Sequence, residues 1–232
     1  MATSVAADAG GAAVSVAAVP AKFDFERMLV AFEEIKFSRA PDAGAALPDT
    51  ALFVLAMKEV ALLFDHLGTG FGFVRADVET KTAVIYEYYA QDTTKNAFLS
   101  DMVEAEMDAG TIRKKPPPST GRTLLRLMWA TKFLYLLMVE LSEAYKPDSK
   151  KTLKSAVSTA YDAALAPNHG WVVRKAVGVA VNLLPTKDVF LQNLGVDASR
   201  RDEYLKRVQV AFEPLVRKMY AYYEKHQLLD LP

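Results

Sequence analysis

Leu124-Leu125-Arg126-Leu127-Met128-Trp129-Ala130-Thr131-Lys132-Phe133-Leu134-Tyr135-Leu136-Leu137-Met138-Val139-Glu140-Leu141 is the most hydrophobic stretch of the chain. Arg126 and Lys132 interrupt it, whereas a membrane-spanning helix needs about 20 residues with few charges. The stretch therefore reads as a buried helix, predicted over 119–145. Its apolar residues, from Leu124 and Leu125 through Phe133 and Leu134 to Leu141, surround much of the helix axis. A helix that is apolar on more than one face must be covered on both sides, which predicts helices stacked in two layers around it. A large ordinary core and a lipid-lined cleft both satisfy that pattern.

Working outward, apolar residues recur at helical spacing almost everywhere and no convincing run alternates with period two. The spacing predicts further helices over 23–38, 48–67, 72–90, 95–109, 149–166, 169–183, 186–194 and 199–227. Punctuation agrees: Pro48 suits a first helical turn, Pro116-Pro117-Pro118 forces a loop, and Pro147-Asp148 opens a helix. Asn168 suits the cap of a helix beginning at His169, with Pro185 just beyond its end. Residues 1–20 are rich in Ala, Val and Gly and hold no Lys or Arg, while Asp8 and Gly10-Gly11 break their apolar run. They read as a disordered tail rather than a targeting signal. One all-α domain is expected over 21–232.

Lys+Arg and Asp+Glu both number 28, so the chain lacks the basic excess of a typical nucleic-acid binder. With no cysteine, disulfides, thiolate zinc sites and cysteine nucleophiles are excluded. The sequence shows no Gly-rich phosphate loop, HExxH or GxSxG. His66 and His226 stand apart from any carboxylate cluster at ligand spacing, so neither a metal nor a cofactor is expected.

Two pairs stand out. Asp77 and Lys81 are four apart and share a helix face; a surface ion pair explains them as well as a binding site does. Arg122 and Arg126 are also four apart, at the start of the most apolar helix. Their mutual repulsion would be relieved by an anion between them, and guanidinium forks suit phosphate oxygens. Separate acidic partners or solvent would serve as well. His169 lies at a predicted helix start, as a cap, a packed residue or a ligand contact. Trp171 follows, where core packing and membrane anchoring are both open.

Taken in order, Gly70-Phe71-Gly72-Phe73-Val74-Arg75-Ala76-Asp77, the Gly121–Leu127 segment, Ala160-Tyr161 through Leu165-Ala166-Pro167-Asn168-His169-Gly170-Trp171-Val172-Val173-Arg174-Lys175, and Leu184-Pro185-Thr186 resemble the glycolipid transfer protein family over about residues 23–228. The resemblance implies an all-α two-layer helical sandwich with one lipid site. It implies that Asp77 accepts the ceramide amide N–H and that His169 donates to the amide carbonyl. Glycolipid-binding members carry Asn at the position of Lys81 and a sugar-stacking Trp at that of Arg126. This chain resembles the ceramide-1-phosphate branch instead, with Lys81, Arg122 and Arg126 on the phosphate. His169-Gly170-Trp171 lacks the Pro found between His and Trp in many members, a plant-type variant. Met128-Trp129 replaces a basic pair common after the second arginine.

The charges agree. Three cations and Asp77 leave +2, while a phosphate monoester carries about −1.5 to −2. The expectation is a non-enzymatic carrier that moves ceramide-1-phosphate between membranes. It is cytoplasmic and monomeric, and it touches membranes through Trp171, Arg174 and Lys175. A ceramide-1-phosphate sensor acting through a protein partner, and glycosphingolipid transfer, are the alternatives. A hydrolase using Asp77 and His169 ranks below them, having no accompanying nucleophile.

Overall fold

The computed structural model describes residues 22–38, 44–116 and 118–232; the N-terminal tail expected over 1–20 lies outside the described residues. Among the described residues nine α-helices follow in order: α1 (Phe25–Glu33), α2 (Thr50–Leu63), α3 (Gly72–Gln91), α4 (Leu99–Asp108), α5 (Thr120–Ala144), α6 (Leu153–Ala164), α7 (Trp171–Ala180), α8 (Lys187–Asn193) and α9 (Arg201–Lys225). Among the described residues the only β-pairing is two isolated bridges, Phe37 with Pro48 and Asp49 with Phe98.

The most apolar stretch forms α5, and it is covered as its composition requires: α3, α4, α6 and α9 all pack on it. Leu124, Leu125, Leu127, Met128, Leu134, Leu137, Met138 and Leu141 are buried along it. Each fully buried aliphatic side chain contributes about 1.5–3 kcal/mol relative to exposure. Around this axis α2 packs on α1 and α3, and α1 closes on α9. The apolar core runs from Phe25 to Leu231.

Local chemistry sets the helix starts. Asp24 accepts the Arg27 N–H at 2.8 Å, Asp49 the Leu52 N–H at 3.0 Å, and Ser119 the Arg122 N–H at 3.2 Å, each satisfying a donor that the first turn leaves free.

Three expectations shift. Pro48 lies outside α2, because Asp49 behind it takes the cap and Pro48 pairs with Phe37. Pro147-Asp148 does not open α6: Asp148 adopts φ 62° in the turn after α5, and Thr152 caps the helix. Asn168 does not cap α7. It belongs to a 3-10 turn, Ala166–Asn168, led by Pro167; His169 is extended and α7 begins at Trp171 behind Gly170.

Candidate functional site

The site is built on α3, α5 and the extended residue before α7. The four-residue spacing brings Asp77 and Lys81 into a direct ion pair. The lysine side chain is 23% exposed and the carboxylate 60%, so Asp77 presents free accepting oxygen to solvent. His169 joins this pair electrostatically: burial holds its imidazole below the ordinary 6.5, Asp77 opposes the shift, and Arg174 and Lys81 reinforce it. The ring is thus neutral near pH 7, available for hydrogen bonding rather than ion pairing. Its Nδ1 lies 3.0 Å from the hydroxyl oxygen of Tyr161, a buried residue of α6.

The two arginines divide. Arg122 is 7% exposed. One of its guanidinium nitrogens donates to the carbonyls of Ile112 (3.2 Å) and Lys114, fastening the loop before α5 onto the helix. Arg126, one turn on, is half-buried. It donates to the carbonyls of Arg122 at 3.1 Å and Leu231 at 3.3 Å and sits 5.0 Å from the Trp129 ring. Burial first, then the charge of Arg122, lower its pKa below the ordinary guanidinium value. Among the described residues no carboxylate pairs with Arg126, so its positive charge is met only by carbonyl dipoles and a ring face.

The first turn of α5 is held from outside. The Glu106 carboxylate of α4 accepts the Ser119 hydroxyl at 2.5 Å, the Thr120 N–H at 2.6 Å and the Gly121 N–H at 3.0 Å. Gly121 permits this approach, since a Cβ there would lie 2.7 Å from the Ile112 side chain. α3 packs on α5. Asp77, Lys81 and His169 therefore form one group, and Arg122 with Arg126 a second on the adjoining helix.

Beyond His169, α7 turns an apolar edge outward. Trp171 is 72% exposed, Val172 is as open, and the Lys175 ammonium stands 5.9 Å from the indole ring. Arg174 donates from Nε to the His169 carbonyl at 2.8 Å, tying the exposed helix to the site. Among the described residues no helix is long and apolar enough to cross a membrane, and no group of His, Cys, Asp and Glu is placed to hold a metal.

Several contacts at the site were not foreseen from sequence. Trp129 stands out in sequence only as a departure from the family pattern, though its place three residues from Arg126 could have flagged the ring contact. Tyr161, Glu106 and Leu231 reach the site from other elements, through contacts no periodicity encodes.

The family profile described as Glycolipid transfer protein (GLTP) matches residues 48–196. The human ceramide-1-phosphate transfer protein is 31% identical over 191 residues, 78% of this chain and 86% of its own length. The mouse ceramide-1-phosphate transfer protein in its apo form superposes with TM-score 0.80 at 26% identity, over 91% of this chain and 100% of that one. The human protein in complex with 12:0 ceramide-1-phosphate gives TM-score 0.79 at 26% identity, over 90% and 100%. The profile spans well over half of the sequence and the fold agrees along nearly all of it: the chain belongs to the glycolipid transfer protein family.

Proposed function

We propose that this protein carries ceramide-1-phosphate between membranes without making or breaking a bond. The observation that supports this most is Arg126: a half-buried guanidinium with no carboxylate partner among the described residues, on a helix packed against the one bearing Lys81. A desolvated, unpaired cation is costly, and a phosphate monoester supplies the missing charge in a bidentate-capable form. A neutral sugar would leave that charge uncompensated.

On this reading Lys81, Arg122 and Arg126 hold the phosphate, Asp77 accepts the amide N–H and His169 donates to the amide carbonyl. The chains enter the apolar interior beside α5. Desorbing an acyl chain exposes about 0.8 kcal/mol per methylene, so roughly fifteen methylenes impose about 12 kcal/mol. A protein receiving the chains directly from the bilayer lowers that barrier. The exposed Trp171, with Arg174 and Lys175 beside it, suits transient contact with a membrane surface, where indole rings favour the interface.

The test is movement of fluorescent ceramide-1-phosphate between donor and acceptor vesicles, with galactosylceramide in parallel. Faster transfer of the phosphorylated lipid is expected. Faster galactosylceramide transfer would refute the headgroup assignment, and tight binding of ceramide-1-phosphate without transfer would favour a sensor.

A further inference from the structure

We infer that Tyr161 is a positioning residue: its hydroxyl donates to Nδ1 of His169 and thereby holds the imidazole with its proton on Nε2, ready to donate to a carbonyl. The ligand half of this inference rests on the function proposed above, whereas the tautomer half does not.

The geometry admits two arrangements at the 3.0 Å contact. If Nδ1 carried the proton and donated to the phenol oxygen, the Tyr161 O–H would need an acceptor of its own. Tyr161 is 7% exposed, and among the described residues its oxygen contacts only His169. An O–H without a protein acceptor forfeits one intramolecular hydrogen bond. If Tyr161 donates instead, both groups are satisfied and the proton of the neutral ring falls to Nε2, since the bond made by one ring nitrogen fixes the state of the other. Nε2 then has no protein partner among the described residues and stays available to a ligand. Burial keeps both groups in the required state, raising the phenol and lowering the imidazole. Asp77, Arg174 and Lys81 also act on the ring. The phenol comes from α6 and the ring from the segment before α7, with ring centroids 5.6 Å apart, so the contact also fixes how that segment docks.

The test uses the full chain with His66→Gln and His226→Gln, leaving His169 as its single histidine, labelled with 15N and observed without ligand above its titration. Nδ1 is expected as a hydrogen-bonded, unprotonated nitrogen and Nε2 as the protonated one. In Tyr161→Phe the Nδ1 resonance moves to that of an imine nitrogen without a donor. A proton on Nδ1 of the unaltered site, or no shift in the Phe variant, overturns the inference. In a binding arm, Tyr161→Phe weakens ceramide-1-phosphate about three- to tenfold, one ordinary hydrogen bond. It leaves a dialkylglycerol phosphate unchanged, since that lipid offers phosphate and two chains but no carbonyl. Equal loss on both ligands means that Tyr161 only packs, and overturns the positioning role. If neither lipid binds, the proposed function fails while the nitrogen spectra still decide the tautomer.

Discussion

Replacing Arg126 by leucine tests the phosphate assignment, because its expected effects on stability and on binding differ. In the folded protein, Arg126 makes two carbonyl contacts at 3.1 and 3.3 Å, the long end of the hydrogen-bond range. It also makes one cation–π contact worth about 0.5–1 kcal/mol. Against these stand repulsion from Arg122 one turn away, a few tenths of a kcal/mol, and the partial burial that already lowers its pKa. Leucine keeps the aliphatic packing on α5, so the free energy of unfolding is expected to move by less than about 1 kcal/mol. Binding fares differently. Removing one side of a desolvated, hydrogen-bonded charge pair costs about 2–5 kcal/mol, and half-burial places Arg126 near the lower end. A loss of about 2–3 kcal/mol corresponds to roughly 30- to 150-fold weaker ceramide-1-phosphate binding. Urea unfolding and vesicle-to-vesicle transfer are the two assays. Arg126→Lys, which keeps charge but loses the planar fork, should fall between leucine and the original. Transfer by Arg126→Leu within twofold of the original would refute the reasoning. So would a stability loss above about 2 kcal/mol, which would make Arg126 a structural residue.

Gly121→Ala places a methyl 2.7–2.9 Å from the Ile112 side chain, and this overpacking should destabilise by about 1 kcal/mol in chemical denaturation while loosening the loop that Arg122 fastens. Because His169 titrates below 6.5 in the folded protein, the unfolded chain binds more protons between that depressed value and 6.5. Stability should therefore decline as pH falls through that window and level off below it, and His169→Gln should lack this component in urea midpoints taken across pH. Trp171→Ala should slow transfer and reduce vesicle co-sedimentation while leaving the affinity for a short-chain, water-soluble ceramide-1-phosphate unchanged.

The helical architecture was legible because the signal is redundant. Spacing over 119–145 places α5 within a residue of its ends at Thr120 and Ala144, and the all-round apolar face required the cover that α3, α4, α6 and α9 supply. Boundaries failed where a single residue had competing uses. Pro48 fits a first helical turn, yet Asp49 offers the better cap; Asn168 is a good cap, yet Pro167 draws it into a 3-10 turn. At the site, the Asp77–Lys81 contact follows from four-residue spacing alone. The Arg122–Arg126 spacing gave no hint that the two would diverge. Arg122 is spent on carbonyls of a loop ten residues back, a contact fixed by how that loop folds rather than by any repeat.

That divergence changes how the arginine pair is to be understood. Symmetric repulsion across one turn suggests two equivalent cations awaiting an anion. In the folded chain, Arg122 also secures the Ile112–Lys114 segment, and the helix beneath it is clamped by Glu106 from α4. Loss of Arg122 would disturb the fold and any phosphate contact together, so it cannot separate them. Arg126, held among the described residues by two long carbonyl contacts and an indole face, is the cation of the pair whose chemistry the fold uses less. The same asymmetry runs through α7. Arg174 is tied to the His169 carbonyl, so it serves the docking of that segment as well as the exposed face. Lys175, beside the open Trp171 ring, carries no such tie and on the proposed reading only meets a surface. On the proposed reading, ligand recognition thus depends most on side chains that the fold can spare, set on helices clamped by those it cannot.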